Sequence, residues 1–109
     1  MVQSGIIDVI RRYLAVLPSV GIHARRAVLF GSFATGEAHQ WSDIDLVVVA
    51  REFDGPRDNA LVKALWRATV VDDRIEPIPC GEVEWESGNG RPILAIARSE
   101  GVVIEAEPS

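Results

Sequence analysis

The sequence is poor in sulfur and in aromatic residues. It has one cysteine, Cys80, and one methionine in 109 residues, and aromatic residues make up 6% of the chain. A single cysteine excludes an intramolecular disulfide and a zinc site built from cysteines. The apolar runs are far shorter than the roughly 20 residues that span a bilayer, and no basic region precedes an apolar core at the start, as in a signal peptide. We therefore expect a cytoplasmic protein without a membrane segment.

Basic residues are the minority charge. The chain carries 11 Lys and Arg against 16 Asp and Glu, which gives a formal net charge of −5. Because binding to nucleic-acid polymers depends on Lys and Arg that neutralise phosphates, this balance argues against RNA or DNA as a partner. The length suits a single domain over residues 1–109, with no room for a separate acceptor-binding domain.

A glycine and a serine follow the first apolar segment, Val28-Leu29-Phe30. Gly31 lacks a Cβ atom, so its backbone can approach a bulky anion closely. Ser32 adds a hydroxyl where a short helix would begin, and the first amides of that helix, from Ser32 to Ala34, would be free donors near its positive end. Gly31 and Ser32 are therefore predicted to bind phosphate.

Two carboxylates open the next apolar segment, which reads Asp43-Ile44-Asp45 and then Leu46 to Val49. Alternate side chains of a strand point to opposite faces, so Asp43 and Asp45 share one face. Adjacent carboxylates repel each other unless a cation lies between them. Hard oxygen ligands, completed by substrate phosphates, are typical of Mg²⁺ sites. The pattern predicts a magnesium site beside the phosphate site.

Gly31-Ser32 followed by Asp43-x-Asp45 resembles the signature of the polymerase-beta-like nucleotidyltransferase superfamily. The short chain is similar to the minimal, stand-alone nucleotidyltransferase domains of that superfamily, from roughly residue 25 to residue 105. The resemblance implies an α+β fold, in which helices pack on a small mixed β-sheet. It also implies Mg²⁺-dependent transfer of a nucleoside monophosphate from a nucleoside triphosphate, with ATP expected, to an acceptor hydroxyl.

The same resemblance implies a third carboxylate on a later strand, which completes the metal site and helps to activate the attacking hydroxyl. The segment from Arg74 to Pro79 is the only later strand-like run with an acid in its middle, so we assign this role to Glu76. Asp43, Asp45 and Glu76 are then the expected catalytic residues and metal ligands. The competing interpretation makes Glu76 an ordinary charge on an edge strand, since prolines in this run cannot donate ladder hydrogen bonds.

Small members of the family are often paired with a helical HEPN-domain protein, as the antitoxin of a toxin–antitoxin couple. The resemblance therefore implies a HEPN-domain partner whose hydroxyl is the acceptor. Transfer to a small molecule such as an aminoglycoside would need a substrate domain that only a homo-oligomer could supply.

Two residues depart from the family pattern and keep a non-catalytic interpretation open. Glu76 stands where Asp is common, and Thr35 stands where many minimal members carry Arg. A domain with these changes could bind a partner or sense nucleotide without turnover. Trp41, just ahead of the acids, has two interpretations as well: it stacks on a base, or it is a partly buried anchor of its loop.

The remaining pattern predicts the framework around these residues. Arg74 is expected to pair with Glu76 or to touch a phosphate, because both side chains lie on one face of the strand. Apolar spacing, caps and turn residues predict the other elements: a helix from Ser4 to Leu17 capped by Ser4, a strand over 22–30, a helix beginning near Pro56, a strand over 74–78, a turn-rich segment over 81–91, a helix over 92–100, and a short strand or tail over 102–104.

Overall fold

A computed structural model describes residues 2–56, 58–88 and 90–107 of the chain. These residues form a mixed four-stranded sheet with helices on both faces, which confirms the predicted α+β fold. The strands are β1 (Ala24–Phe30), β2 (Ile44–Ala50), β3 (Ile75–Cys80) and β4 (Val102–Glu105). Their order across the sheet is β3-β2-β1-β4. β1 is antiparallel to both β2 and β4, whereas β2 and β3 are parallel.

The described ranges also contain five α-helices and three 3-10 turns, of which the first helix and the first 3-10 turn precede β1. The helices are α1 (Ser4–Val16), α2 (Ser32–Thr35), α3 (Asn59–Arg67), α4 (Glu82–Ser87) and α5 (Pro92–Glu100). The 3-10 turns are Leu17–Val20, Arg51–Phe53 and Ala68–Val71. None of the helices in the described parts of the chain has the length and hydrophobicity needed to cross a membrane.

One face of the sheet packs against α1 and α3. The apolar stripe of α1 is buried there with alternate residues of the central strands, among them Leu29 of β1 and Leu46 of β2. Tyr13 lies fully buried in this layer, and its hydroxyl donates a hydrogen bond to the carbonyl oxygen of Leu65 at 2.6 Å. Burial raises the pKa of the Tyr13 hydroxyl. This hydrogen bond joins α1 to α3 without leaving a buried polar group unpaired.

The opposite face packs against α4 and α5. Its buried residues are the alternate residues of the same strands that point away from α1, such as Val28 of β1 and Val47 of β2, together with Leu94 of α5. Trp85 of α4 packs at the edge of this layer, and the guanidinium of Arg98 lies 4.7 Å from its ring centroid. The strand β2 is therefore buried on both faces, which is why it reads as a continuous apolar run.

The structure corrects the expected course of the third strand, which runs on through Pro77 and Pro79 to Cys80. The carbonyl oxygen of Arg74 accepts a hydrogen bond from the amide of Ile44 at 2.8 Å. The backbone N–H and C=O groups of the even-numbered residues of β3 therefore point toward β2, and those of the odd-numbered residues point away from it. The nitrogen atoms of both prolines, which carry no hydrogen, therefore point to the outer edge of the sheet, where no hydrogen bond of the ladder is lost.

The segment after Gly81 forms the helix α4 where the sequence suggested only turns. A carboxylate oxygen of Asp54 accepts a hydrogen bond from the amide of Val83 at 3.0 Å. Asp54, from a distant part of the chain, thus pairs with an amide in the first turn of α4 that has no partner within the helix. Gly88, with φ of 73°, ends the helix. The stabilising contact is long-range, so local composition did not reveal it.

Two helix starts also differ from expectation. Ser4 is the first residue of α1 instead of its cap, and Gln3 occupies the cap position without a side-chain hydrogen bond. The helix α3 begins at Asn59 and not near Pro56, because the side chain of Asp58 accepts from the amide of Ala60 at 2.9 Å.

Candidate functional site

The turn between β1 and α2 brings Gly31 against the start of β2. Gly31 has φ of 75° and ψ of −155°, a conformation that is essentially restricted to glycine. A Cβ atom built on Gly31 would lie 2.3 Å from Oδ2 of Asp45. Phe30, the last residue of β1, is in register with Asp45. The antiparallel pairing of β1 and β2 therefore places the predicted phosphate-binding turn directly beside one predicted metal ligand.

The short helix α2 follows this turn, with Ser32 as its first residue and Gly36 ending it. The amides of Ala34 and Thr35 donate to the carbonyl oxygen of Gly31 at 3.0 and 3.1 Å. The amide of Ala34, expected to be free for an anion, is thus used within the turn. Thr35 turns its hydroxyl back to the carbonyl oxygen of Gly31 at 3.3 Å, and also to Oε1 of Glu37 at 2.9 Å.

The three predicted carboxylates lie on neighbouring strands. Asp45 of β2 is in register with Glu76 of β3, so their side chains leave the sheet side by side. Asp43 precedes β2 by one residue and is close enough to Asp45 and Glu76 to raise the pKa of both. Asp43 and Glu76 are exposed, and Asp45 is half-buried. The parallel pairing of β2 with β3 is what brings Glu76, distant in sequence, to the two aspartates.

The carboxylates influence one another electrostatically. Burial and then repulsion from Asp43 raise the pKa of Asp45. The pKa of Glu76 is raised by desolvation, by repulsion from Asp43 and Asp45, and by a hydrogen bond that its protonated form shares with Asp43. Like charges held this close favour the protonated state unless a cation compensates them.

The three carboxylates do not form a compact ligand cluster. Among the described residues, no group of three or more His, Cys, Asp or Glu side chains is arranged to hold a metal ion. Their fit to a divalent cation rests instead on the donor set, which consists of hard carboxylate oxygens on adjacent strands, and on the mutual repulsion that a cation would relieve.

Arg74 joins the elements around this site, although it does not pair with Glu76. Its Nε and one terminal nitrogen donate to the carboxylate of Asp72 at 3.0 and 2.7 Å, and the other terminal nitrogen donates to the carbonyl oxygen of Gln40 at 3.3 Å. The guanidinium also lies 5.8 Å from the ring centroid of Phe33 in α2. Hydrogen bonds from Arg74 lower the pKa of Asp72. The Asp72-Asp73-Arg74 turn is the part of the sequence that could have indicated this pair. The prediction instead took Arg74 as a strand residue that shares a face with Glu76.

Trp41 lies in the loop between α2 and β2 with 78% of its surface exposed. Its interpretation as a partly buried anchor is therefore wrong. Two clefts in the described parts of the chain lie elsewhere: one of about 150 Å³ is lined by residues such as Phe53, Pro79 and Arg91, and one of about 280 Å³ lies among β1, β4, α4 and α5. The candidate residues form an open site at the rim of the sheet.

Two comparisons relate the chain to known proteins. The sequence profile of a family described as "Nucleotidyltransferase domain" matches residues 10–88, a range that includes all five candidate residues. A solved structure described as "Crystal structure of the toxin-antitoxin with AMP-PNP" is similar to the chain in fold, with a TM-score of 0.60. It shares 21% sequence identity, and the alignment covers 93% of this chain and 73% of that one. No curated protein sequence matches the chain significantly.

Proposed function

The chain belongs to the nucleotidyltransferase domain family, and we propose that it is a magnesium-dependent enzyme that moves AMP from ATP to an acceptor hydroxyl. The observation that carries this proposal is the alignment of Asp45 with Glu76 on adjacent parallel strands, while Gly31 packs against the Asp45 carboxylate. This arrangement supports a proposed phosphate-binding turn at Gly31 and Ser32 next to proposed oxygen ligands for a divalent cation.

Each of the five residues has a role in the proposed reaction. Gly31 and Ser32 bind the triphosphate through the backbone and the hydroxyl. Asp43, Asp45 and Glu76 are the residues that would hold Mg²⁺, which offsets phosphate charge when bound. The acceptor oxygen forms a bond to the α-phosphorus while the bond from that phosphorus to the bridging oxygen breaks, and pyrophosphate leaves. Glu76 accepts the hydroxyl proton as the general base. Such transfers depend chiefly on positioning and charge stabilisation.

The proposed acceptor is a hydroxyl of a HEPN-type partner protein, with this chain as the antitoxin of the pair. The likeness in fold to a structure described as a toxin–antitoxin with AMP-PNP supports a protein partner and a nucleotide. The net charge of −5 supports a protein acceptor over a nucleic-acid polymer. A cytoplasmic location, where ATP and Mg²⁺ are available, belongs to the same proposal.

A second candidate function is a module that binds its partner or nucleotide without turnover. Two observations favour it: the carboxylates are not gathered into a compact ligand set, and the Thr35 hydroxyl is engaged with the backbone of its own turn. Turnover distinguishes the two candidates, because both predict binding.

Titration with ATP, with and without Mg²⁺, tests the nucleotide site. We expect Mg²⁺-dependent binding that Asp43→Asn combined with Asp45→Asn removes. The matched control combines Asp8→Asn with Glu100→Gln, which makes the same charge change at exposed positions on α1 and α5. Equal ATP binding by the wild type and the site variant would refute the assignment of the carboxylates.

Thermal unfolding without metal checks that the site variant is folded. A carboxyl whose pKa is raised in the folded state favours folding below its unfolded pKa, and this contribution is lost as the pH rises through the folded pKa. Asp45 is such a group. At neutral pH the double Asn variant should therefore melt no lower than the wild type, and the difference between the two proteins should shrink in acid.

Transfer is then followed with ATP labelled at the α-phosphate, mixed with the protein encoded beside this one. We expect label on that protein with the wild type and the control, and none with the site variant. Binding without label on any added protein would favour the non-catalytic module.

A further inference from the structure

We propose that Trp41 is the base-contacting residue of this site and that its indole stacks on the purine of bound ATP. The inference rests on the proposed function, because it assigns a further residue to the same nucleotide site. Four features of the structure carry it: the exposure of the indole, the fixed conformation of its loop, its place next to the acids, and the polarity around it.

The exposure of Trp41 is unusual for its residue type. Its surface is 78% exposed, against 48% for Trp66 on α3. Tryptophan is highly buried on average, since its large apolar surface is costly to leave in water. An indole held this far into solvent is available to a ligand with an apolar face.

The loop that carries Trp41 is fixed by hydrogen bonds. The amide of His39 donates to the hydroxyl of Ser42, and the amide of Ser42 donates to the carbonyl oxygen of His39, each at 2.9 Å. The amide of Trp41 donates to Nδ1 of His39 at 3.2 Å. Arg74 donates to the carbonyl oxygen of Gln40 from outside the loop. The outward position of the indole is thus set by an ordered turn.

This turn leads directly into the metal-binding segment, since Trp41 precedes Asp43 by two residues. Consecutive Cα atoms are about 3.8 Å apart, so the Cα atom of Trp41 lies at most about 7.6 Å from the Cα atom of Asp43. A nucleotide bound through its phosphates near Asp43 and Asp45 extends its ribose and base outward from these acids. We therefore assign the exposed indole of Trp41 as the surface that meets such a base.

The surroundings of Trp41 favour a small flat ligand over a protein surface. Its exposed loop neighbours are polar, namely Glu37, His39 and Gln40. Large protein interfaces are often marked by contiguous apolar patches, which these polar loop neighbours do not form, whereas a single exposed aromatic ring can stack on a base because every base has a π-face. The rings of bases are planar, and stacking on indole favours large purines.

Fluorescence isolates the indole of Trp41. In a protein carrying Trp66→Phe and Trp85→Phe, Trp41 is the sole tryptophan, since the chain has three. We expect ATP with Mg²⁺ to quench its emission, and inorganic tripolyphosphate, which has the phosphates but no base, to leave it unchanged.

Affinity in the wild-type background gives the second measurement. Trp41→Ala should weaken ATP binding roughly 5- to 100-fold, the usual range for loss of one base–aromatic stack. Trp41→Phe should retain most of the affinity, and Trp66→Ala, the matched control at an exposed tryptophan on α3, should retain all of it. Tripolyphosphate should bind all four proteins equally.

The possible failures are distinguishable. Equal affinity of the wild type for ATP and tripolyphosphate, with no effect of Trp41→Ala, would overturn the stacking role and leave the nucleotide site intact. If Trp41→Ala loses transfer to a protein acceptor but keeps its ATP affinity, Trp41 belongs to the partner interface and the inference is overturned. Failure of both ATP and tripolyphosphate to bind would remove the inference together with the proposed function.

Discussion

Gly31 is the residue whose substitution best distinguishes an effect on stability from an effect on nucleotide binding. Its backbone has a positive φ of 75°, and the space where a Cβ atom would stand is filled by the Asp45 carboxylate. Gly36, at the other end of the same helix, has φ of 84° and nothing within 4 Å of its Cβ position. Both glycines have a positive φ, but the ψ of −155° at Gly31 is essentially restricted to glycine, and of the two only Gly31 has the close contact with Asp45.

We predict that Gly31→Ala and Gly36→Ala both destabilise the protein and that only Gly31→Ala disables the site. Gly36→Ala should lower the free energy of unfolding by about 1 to 2 kcal/mol, the cost of a non-glycine residue at positive φ. Gly31→Ala should cost more, because the backbone conformation of Gly31 is nearly closed to other residues and the new methyl group also displaces Asp45. Urea unfolding and Mg²⁺-dependent ATP titration of both variants check this. Full ATP affinity in folded Gly31→Ala would show that the contact with Asp45 has no functional role.

At the same scale, the residues of the site differ in how far the sequence could predict them. Gly31, Asp43 and Asp45 could be proposed from local sequence alone, because a glycine after a strand and two acids two residues apart have a direct geometric meaning. Glu76 was assigned from the family resemblance to the one later strand-like run that holds an acid, and the structure brings it into register with Asp45. Arg74 was placed on the face of Glu76 but pairs with Asp72, since a side chain at a strand end can fold back on its own turn.

At the scale of elements, the helix α2, the loop before β2 and the turn at Asp72 converge on the side chain of Arg74, which immediately precedes β3. Its guanidinium contacts Phe33 of α2 and the carbonyl oxygen of Gln40 in the loop before β2, while Asp72 fixes its orientation. Guanidinium groups suit such a junction, because their donors point in fixed directions and their faces stack on rings. Arg74 thus positions the loop that presents Trp41.

We predict that Arg74→Gln loosens this loop while the sheet persists. Amide hydrogen exchange at Ser42 should accelerate roughly tenfold, since a charge-assisted network worth about 1.4 kcal/mol is lost. Exchange in the middle of β2 should stay unchanged. Lys63→Gln, which removes an exposed positive charge from α3, is the control and should alter neither. Unchanged exchange at Ser42 in Arg74→Gln would mean that the loop is held by its internal hydrogen bonds alone.

The elements themselves were predictable to the extent that they are stabilised locally. The helices α1 and α5 carry apolar residues at helical spacing, and β1 and β2 are continuous apolar runs, so pattern sufficed. The helix α4 depends on Asp54, almost thirty residues away, to accept an amide hydrogen of its first turn. A short acidic helix with a distant cap has little local signature, and its sequence reads as a turn.

Across the whole molecule, the sheet separates two apolar layers that share the same strands. Leu29 and Leu46 belong to the layer under α1 and α3, whereas Val28 and Val47 belong to the layer under α4 and α5. Loss of either layer would expose one face of the central strands to water, at a cost of roughly 25 cal/mol for each Å² of apolar surface. The two layers should therefore be stable only together, as the proposal of a single domain over residues 1–109 requires.

We predict that both layers unfold in one cooperative transition. Trp66 of α3 and Trp85 of α4 report on opposite faces of the sheet. A variant retaining only Trp66 and one retaining only Trp85, made with Phe at the other two positions, should each show a fluorescence midpoint in urea equal to its own circular-dichroism midpoint. Comparison within each variant removes the effect of the substitutions on stability. A Trp85 transition below the circular-dichroism midpoint would show that α4 and α5 open before the rest, and that the strands retain their pairing with only one face covered.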